Sequence, residues 1–231
     1  MEQSHIGTLG EGPLHAALKE WYAQPGDLWE APVDGYHIDL VRGELLIEIQ
    51  TGNFSSARRK LEKLTLTHPV RLVYPIPLEK YILRLGEGGE VLGRRRSPKR
   101  GEPLDVFWEL VRLPGLLSRE GFSLELVLIE EEEVRVQDPK RGWRRGHWVI
   151  YERRLLEIID GIEFSCPAEL LTLLPEGLPE PFTTAELSTA LGKSRRFAQA
   201  MAYSLTAEGA LTRVGKKGNA WEYGKGAVSL P

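Results

Sequence analysis

Hydrophobic and polar positions alternate with a period of two from Tyr36 to Val41. Tyr36, Ile38 and Leu40 point one way, and His37, Asp39 and Val41 the other. The same alternation continues from Glu44 to Gln50, where Leu45, Ile47 and Ile49 oppose Leu46, Glu48 and Gln50. Two strands joined at Arg42-Gly43 would pair Val41 with Glu44 and set Asp39 opposite Leu46. Asp39, Glu48 and Gln50 would then share a face, with Asp39 and Glu48 as diagonal neighbours. The period shifts to helical near Asn53: Phe54, Ala57, Leu61 and Leu64 form a buried stripe, leaving Arg58, Arg59, Lys60 and Lys63 outside. Val70–Tyr74 is a continuous apolar run closed by Pro75, as expected of a buried parallel strand, and strand–helix–strand implies a right-handed crossover.

On the N-terminal side, a helix opens at Gly12-Pro13 with Leu14, Ala17, Leu18 and Trp21 as its stripe, and Leu28–Val33 reads as a strand. Downstream, Tyr81–Leu85 and Glu90–Gly93 flank a Gly-rich hairpin turn, Leu104–Leu113 reads as a helix and Phe122–Ile129 as a strand. Glu130–Glu133 alternate faces and cannot converge on one cation, so they are expected to be solvated. Val134–Val136 and Trp148–Tyr151 flank a loop that mixes Lys140, Arg141, Arg144 and Arg145 with Trp143. Such a mixture suits either stacking on nucleic acid or a surface hairpin. Arg154–Ile159 closes this part of the chain.

After Cys166 the pattern changes. Pro167–Leu174 is a short apolar helix. Thr183–Leu191 is a helix with a Thr183/Glu186 capping box, and Ser194–Glu208 is a longer one ended by Gly209. Strands at Leu211–Val214 and Ala220–Tyr223 follow, joined by a basic turn.

Composition adds limits. With 231 residues, 42% hydrophobic and 27% charged, the chain suits one large or two modest globular domains. Its net charge is −3, so any nucleic-acid surface must be local. From position 182 onward there are seven Lys and Arg against three Asp and Glu, a local +4. One cysteine excludes an internal disulfide and a Cys-cluster zinc site. No apolar run reaches membrane-spanning length and no signal peptide is evident, so the expectation is a cytoplasmic protein.

Two carboxylates on an apolar sheet are costly to bury without a cation, and Mg²⁺ (or Mn²⁺) would satisfy them. Asp39, eight intervening residues, then Glu48-x-Gln50 across two strands, followed by helix and strand, resembles the PD-(D/E)xK nuclease superfamily from about Glu11 to Pro75. The resemblance implies a restriction-endonuclease-like α/β fold, a mixed sheet flanked by helices. It implies Asp39 and Glu48 as metal ligands and catalytic residues, with Glu11 as an additional metal ligand. Gln50 stands where most members have lysine, and Ile38 where they have proline. Glutamine can orient water but brings no positive charge.

The C-terminal order of helix, helix–turn–helix and basic hairpin resembles a winged helix-turn-helix domain. The resemblance implies DNA contacts from Lys193, Arg195, Arg196 and Gln199 on the second helix, and from Arg213, Lys216, Lys217 and Asn219 on the wing. Together these imply a nuclease-like domain at 1–160, a winged-helix domain at 161–231, and a backbone grip from Arg58, Arg59 and Lys63. The expected function is a metal-dependent DNA endonuclease, with a homodimer suited to cutting two strands. The alternatives are a non-catalytic DNA-binding or regulatory protein that keeps the nuclease-like fold, and an assembly component whose winged helix binds protein. Nucleophile-elbow, P-loop, dinucleotide-binding and His-x3-His patterns are absent from the sequence.

Overall fold

The computed structural model describes residues 12–141 and 146–227. Glu11, Trp143, Arg144 and Arg145 lie outside them. The elements are α1 (Pro13–Tyr22), β1 (Leu28–Val33), β2 (Tyr36–Arg42), β3 (Leu45–Ile49), α2 (Arg58–Leu64), β4 (Val70–Leu85), β5 (Val91–Arg96), α3 (Phe107–Leu110), β6 (Phe122–Gln137) and β7 (Trp148–Phe164). They continue with β8 (Phe182–Thr183), α4 (Thr184–Leu191), α5 (Arg195–Ala207), β9 (Leu211–Lys217) and β10 (Ala220–Lys225).

The first seven strands form one mixed sheet in the order β1-β2-β3-β4-β6-β7, with β5 pairing the far part of β4. The β3/β4 and β4/β6 pairs are parallel and the rest antiparallel, so the class is α/β, a mixed sheet flanked by helices. On one face, Leu14, Leu18 and Tyr22 of α1 pack against Leu40, Ile47, Ile49, Val73 and Val127. On the other, α2 and the loop before it place Phe54, Ala57, Leu61 and Leu64 over Leu46, Leu72, Leu124 and Leu126. That second core runs without a break into the C-terminal unit through Phe107, Leu110, Phe197, Met201 and Leu205.

Several expectations are revised. The β2–β3 register pairs Arg42 with Leu45 and Leu40 with Ile47, so the two-residue turn is Gly43-Glu44 rather than Arg42-Gly43. Gly43 takes φ +59°, which suits the first central position of a type II′ turn. Continuing that register puts Asp39 across from Glu48, not diagonal to it. The stripe of α1 is rotated: Trp21 is 54% exposed while Lys19 and Tyr22 are buried. The polar tips of those two residues have carboxylate partners, the exposed Glu30 for Lys19 and Glu125 for Tyr22, and this makes their burial tolerable. Val70–Tyr74 is only the start of β4, which continues through Pro75 and Pro77 beside β6.

The glutamates expected to be solvated are not. Glu131, Glu132 and Glu133 are 1%, 7% and 5% exposed, because β6 runs sixteen residues between β4 and β7 and both flanks supply cations. Lys80 of β4 bridges Glu131 and Glu133 at 2.8 Å each, and Arg135 adds a 2.5 Å contact to Glu133. Glu132, pointing the other way, takes Arg94 of β5 at 2.7 Å. Faces alternate, but residues two apart share a face, so Glu131 and Glu133 do converge on one cation, Lys80, contrary to expectation. What the strand reading lacked was the two neighbours.

In the C-terminal unit a three-stranded sheet, β8-β10-β9, packs with α4 and α5. Thr183 caps α4 with Glu186 in reciprocal bonds, and Ser194 caps α5. Glu208, 2% exposed just past α5, accepts N–H bonds from Gly115, Leu116 and Ser118 at 2.9–3.2 Å, fastening the unit to the turns after α3.

Candidate functional site

The backbone pairing of β2 with β3 ends at Leu40↔Ile47, and the carboxylate of Asp39 takes over where it stops. Asp39 Oδ2 accepts the Ile49 N–H at 2.7 Å, and His15 Nε2 of α1 lies 3.3 Å from the same oxygen and 2.9 Å from the Ile49 carbonyl. Burial pushes the Asp39 carboxyl up, but His15, the Ile49 N–H and the Lys60 charge outweigh it and hold it below the usual carboxylate range.

Glu48 behaves in the opposite way. Burial first, and then the charge of Asp39, push it up to about 7 against the opposing pull of Lys60 and His15. Lys60 of α2 reaches Glu48 Oε1 at 2.6 Å and also donates to the His37 carbonyl. Glu48 Oε2 is buried and has no hydrogen-bond partner among the described residues. The pair is therefore under-compensated, with one oxygen left over. That is the condition in which a hard cation gains most from binding.

Asp39 and Glu48 are thus brought together. Gln50 is turned aside: its amide nitrogen donates to the Asn53 carbonyl at 3.2 Å and to Ser56 Oγ at 3.1 Å, bracing the loop into α2. Glu11 falls outside the described residues. Among the described residues, no group of three or more His, Cys, Asp and Glu side chains is arranged to hold a metal ion. Lys60, expected to remain outside, points in. It sits three residues after Ala57 and four before Leu64, flush with the buried stripe, and that spacing was a legible signal. His15, the other residue the sequence reading did not place here, had a weaker one: it lies one helical position from Leu14.

The expected nucleic-acid residues divide sharply. Arg58 is paired with Glu62 at 2.7 Å, and Lys63 donates to the Asp34 carbonyl at 3.0 Å, while Arg59 is exposed. On α5, Lys193 is tied to Glu102, and the Arg196 guanidinium lies 5.8 Å from the Trp108 ring of α3. Arg195 donates to Thr184 Oγ1 at 3.3 Å, and Gln199 is exposed. Lys217 is paired with Glu186 at 3.0 Å. Arg213 and Lys216 contact the Trp221 ring instead of a carboxylate.

α3 links the two regions. Glu109 accepts the Phe54 N–H at 2.9 Å from the loop that Gln50 braces, while the adjacent Trp108 meets Phe197 edge-on at 5.3 Å.

No solved structure matches the chain. An uncharacterized protein of Treponema pallidum (strain Nichols) is 35% identical over 195 residues, covering 84% of this chain and 78% of the relative. A domain model covers residues 12–165, from the start of α1 to the end of β7, and so includes His15, Asp39, Glu48 and Lys60. On that match the chain belongs to the family described as a domain of unknown function, DUF8091.

Proposed function

We propose that the chain is a metal-dependent nuclease in which Asp39 and Glu48 hold a divalent ion, Mg²⁺ or Mn²⁺, and that its C-terminal unit contributes nucleic-acid binding. The observation that carries this reading is the buried Glu48 carboxyl, raised to about 7 by burial and the charge of Asp39, with Lys60 on one oxygen and no hydrogen-bond partner among the described residues for the other. The order β2–β3–α2–β4, with both carboxylates near the end of the β2–β3 pairing, supports a restriction-endonuclease-like core. Helices α4 and α5 followed by the β9–β10 hairpin support a winged helix for the part after residue 160. DNA is the expected substrate and the homodimer remains an expectation.

A bound divalent ion supplies Lewis acidity and a water made acidic enough to attack a phosphodiester near neutral pH. The protein's own groups do the rest. Asp39, already ionised through its contacts with Ile49 N–H and His15, offers a ready anionic ligand. Glu48 releases the proton that burial favours when an ion enters. Lys60, held at 2.6 Å from Glu48, brings the positive charge that Gln50 lacks and steadies charge developing on the phosphate. Gln50 keeps the Asn53–Ser56 loop in place.

A second reading has its own support. His15 and Lys60 already neutralise much of the carboxylate pair, as in a scaffold that keeps the fold without cutting. A divalent-metal titration of hydrolysis on single-stranded, duplex and branched DNA separates the two. Cleavage that disappears in Asp39→Ala and Glu48→Ala supports the nuclease. DNA binding without cleavage under any divalent ion supports the scaffold.

A further inference from the structure

The β9–β10 hairpin carries two cations that no carboxylate among the described residues compensates. Arg213 Cζ lies 5.0 Å and Lys216 Nζ 4.4 Å from the centroid of the Trp221 ring. Neither makes an ion pair among the described residues, whereas Lys217 on the same strand is held by Glu186. Trp221 is 42% exposed although it lies across from Lys216 in the ladder. A register shift pairs Gly215 with Glu222 but Arg213 with Tyr223, leaving Val214 as a bulge, and bulges re-aim neighbouring side chains.

Arg213 also helps line a pocket of about 460 Å³ with Tyr203, Ala207, Leu211 and Thr212, within the size range of small-ligand sites. Tyr203 is 50% exposed. Arg213 is therefore common to an open indole and an apolar recess walled by an open phenol.

We infer that this surface of Tyr203, Arg213, Lys216 and Trp221 is a binding site for single-stranded nucleic acid, taking an unpaired base in the recess and the adjoining phosphates on the two cations. The chemistry selects that occupant. Cations beside flat apolar surfaces grip a backbone and stack on splayed bases. A duplex would satisfy the cations but hide its base faces, leaving Tyr203 and the recess without a role. The start of α5, which a duplex would need, is partly committed elsewhere: Lys193 is tied to Glu102, and Arg196 lies over Trp108. The inference rests on the nucleic-acid-binding half of the proposed function and not on cleavage.

The test is equilibrium binding of the full chain to a fluorescent oligothymidylate, to a duplex of equal length and to polyglutamate, all in chelator so that no metal chemistry intrudes. The single strand should bind at least about 10-fold more tightly than the duplex, and Tyr203→Ala, Trp221→Ala and Arg213→Ala should each weaken it by about 10-fold, the effect of losing one stacked base. Arg213→Ala should also reduce the salt slope by about 0.7, one phosphate contact on a single strand. Arg100→Ala, an exposed cation just beyond β5, should leave binding unchanged. Equal affinity for duplex, insensitivity to the three variants at unchanged melting temperature, or a preference for polyglutamate would each overturn the site. Failure of the native chain to bind the single strand, alongside intact metal-dependent cleavage, would overturn the site and leave the nuclease reading standing.

Discussion

Near the end of β3, Asp39 and Glu48 share one lysine and one histidine. Further along the same sheet, Glu131, Glu132 and Glu133 each have a cation on a neighbouring strand or two residues away. Both clusters bury carboxylates almost completely. In the ladder, burial raises Glu133, but Lys80 and Arg135 outweigh it and hold it below its usual value. Beside Asp39, burial prevails and Glu48 rises to about 7. The contrast separates two uses of a buried acid. A carboxylate whose cations outweigh its burial fastens strands together, while one that burial and a like charge hold raised is the kind the proposed metal site relies on; a spare buried oxygen alone does not separate them, because Glu131 in the ladder has two.

The comparison can be broken most decisively at Glu48 and Asp39. Glu48→Gln or Asp39→Asn should lower metal-dependent cleavage by about 10³-fold or more, the several kcal/mol that a lost metal site represents, without loosening the fold. Lys80→Met should do the reverse. It takes the close cation from Glu131 and leaves Glu133 to Arg135 alone, and should cost about 3 kcal/mol in denaturant unfolding, with cleavage unchanged. Lys60→Met tests the missing positive charge and should reduce turnover by about 10²-fold, like removal of one preorganised donor.

The pH dependence of stability should differ in sign. Glu48 has a folded value raised from 4.5 to about 7, so its favourable contribution is complete below about pH 4.5 and is lost as pH rises through 7. Relative to Glu48→Gln, the native chain should lose on the order of 2 kcal/mol over that window in denaturation series. Glu133 has a lowered folded value, so its contribution is present above 4.5 and is lost as pH falls below it. Glu133→Gln should therefore remove acid sensitivity. The smallest effect belongs to the exposed pair Arg58–Glu62, whose loss in Arg58→Ala should cost less than about 0.5 kcal/mol.

Much of the frame was legible because it is local. Alternation marked β2 and β3 as strands, although Tyr36 and Ile38 pack on the α2 side and Leu40 on the α1 side instead of sharing one face. The Thr183/Glu186 box marked α4, and Ser194 and Gly209 bracketed α5. What escaped depended on neighbours distant in sequence. The glutamate run looks solvated until β4, β5 and β7 are alongside with Lys80, Arg94 and Arg154. Pro75 looks like a terminator unless the strand continues beyond it beside β6. The turn at Gly43-Glu44 moved the register by one residue on each side, and the pairing stops at Leu40↔Ile47, so Asp39 is met by His15 of α1 and Glu48 by Lys60 of α2 on the other side of the sheet. At the site, the two carboxylates were readable from their spacing. The cations that tune them come from α1 and α2, which no strand pattern describes.

The most direct measurement is the melting temperature of the native chain as Mg²⁺ or Mn²⁺ is added, beside Glu48→Gln. If Asp39 and Glu48 receive a cation, the native melting point should rise with a stabilisation of about 2.7 kcal/mol once the ion reaches a hundredfold excess over its dissociation constant, and the variant should not respond. Identical curves for the two chains at every concentration would show that the pair is neutralised from within by His15 and Lys60 and receives no ion.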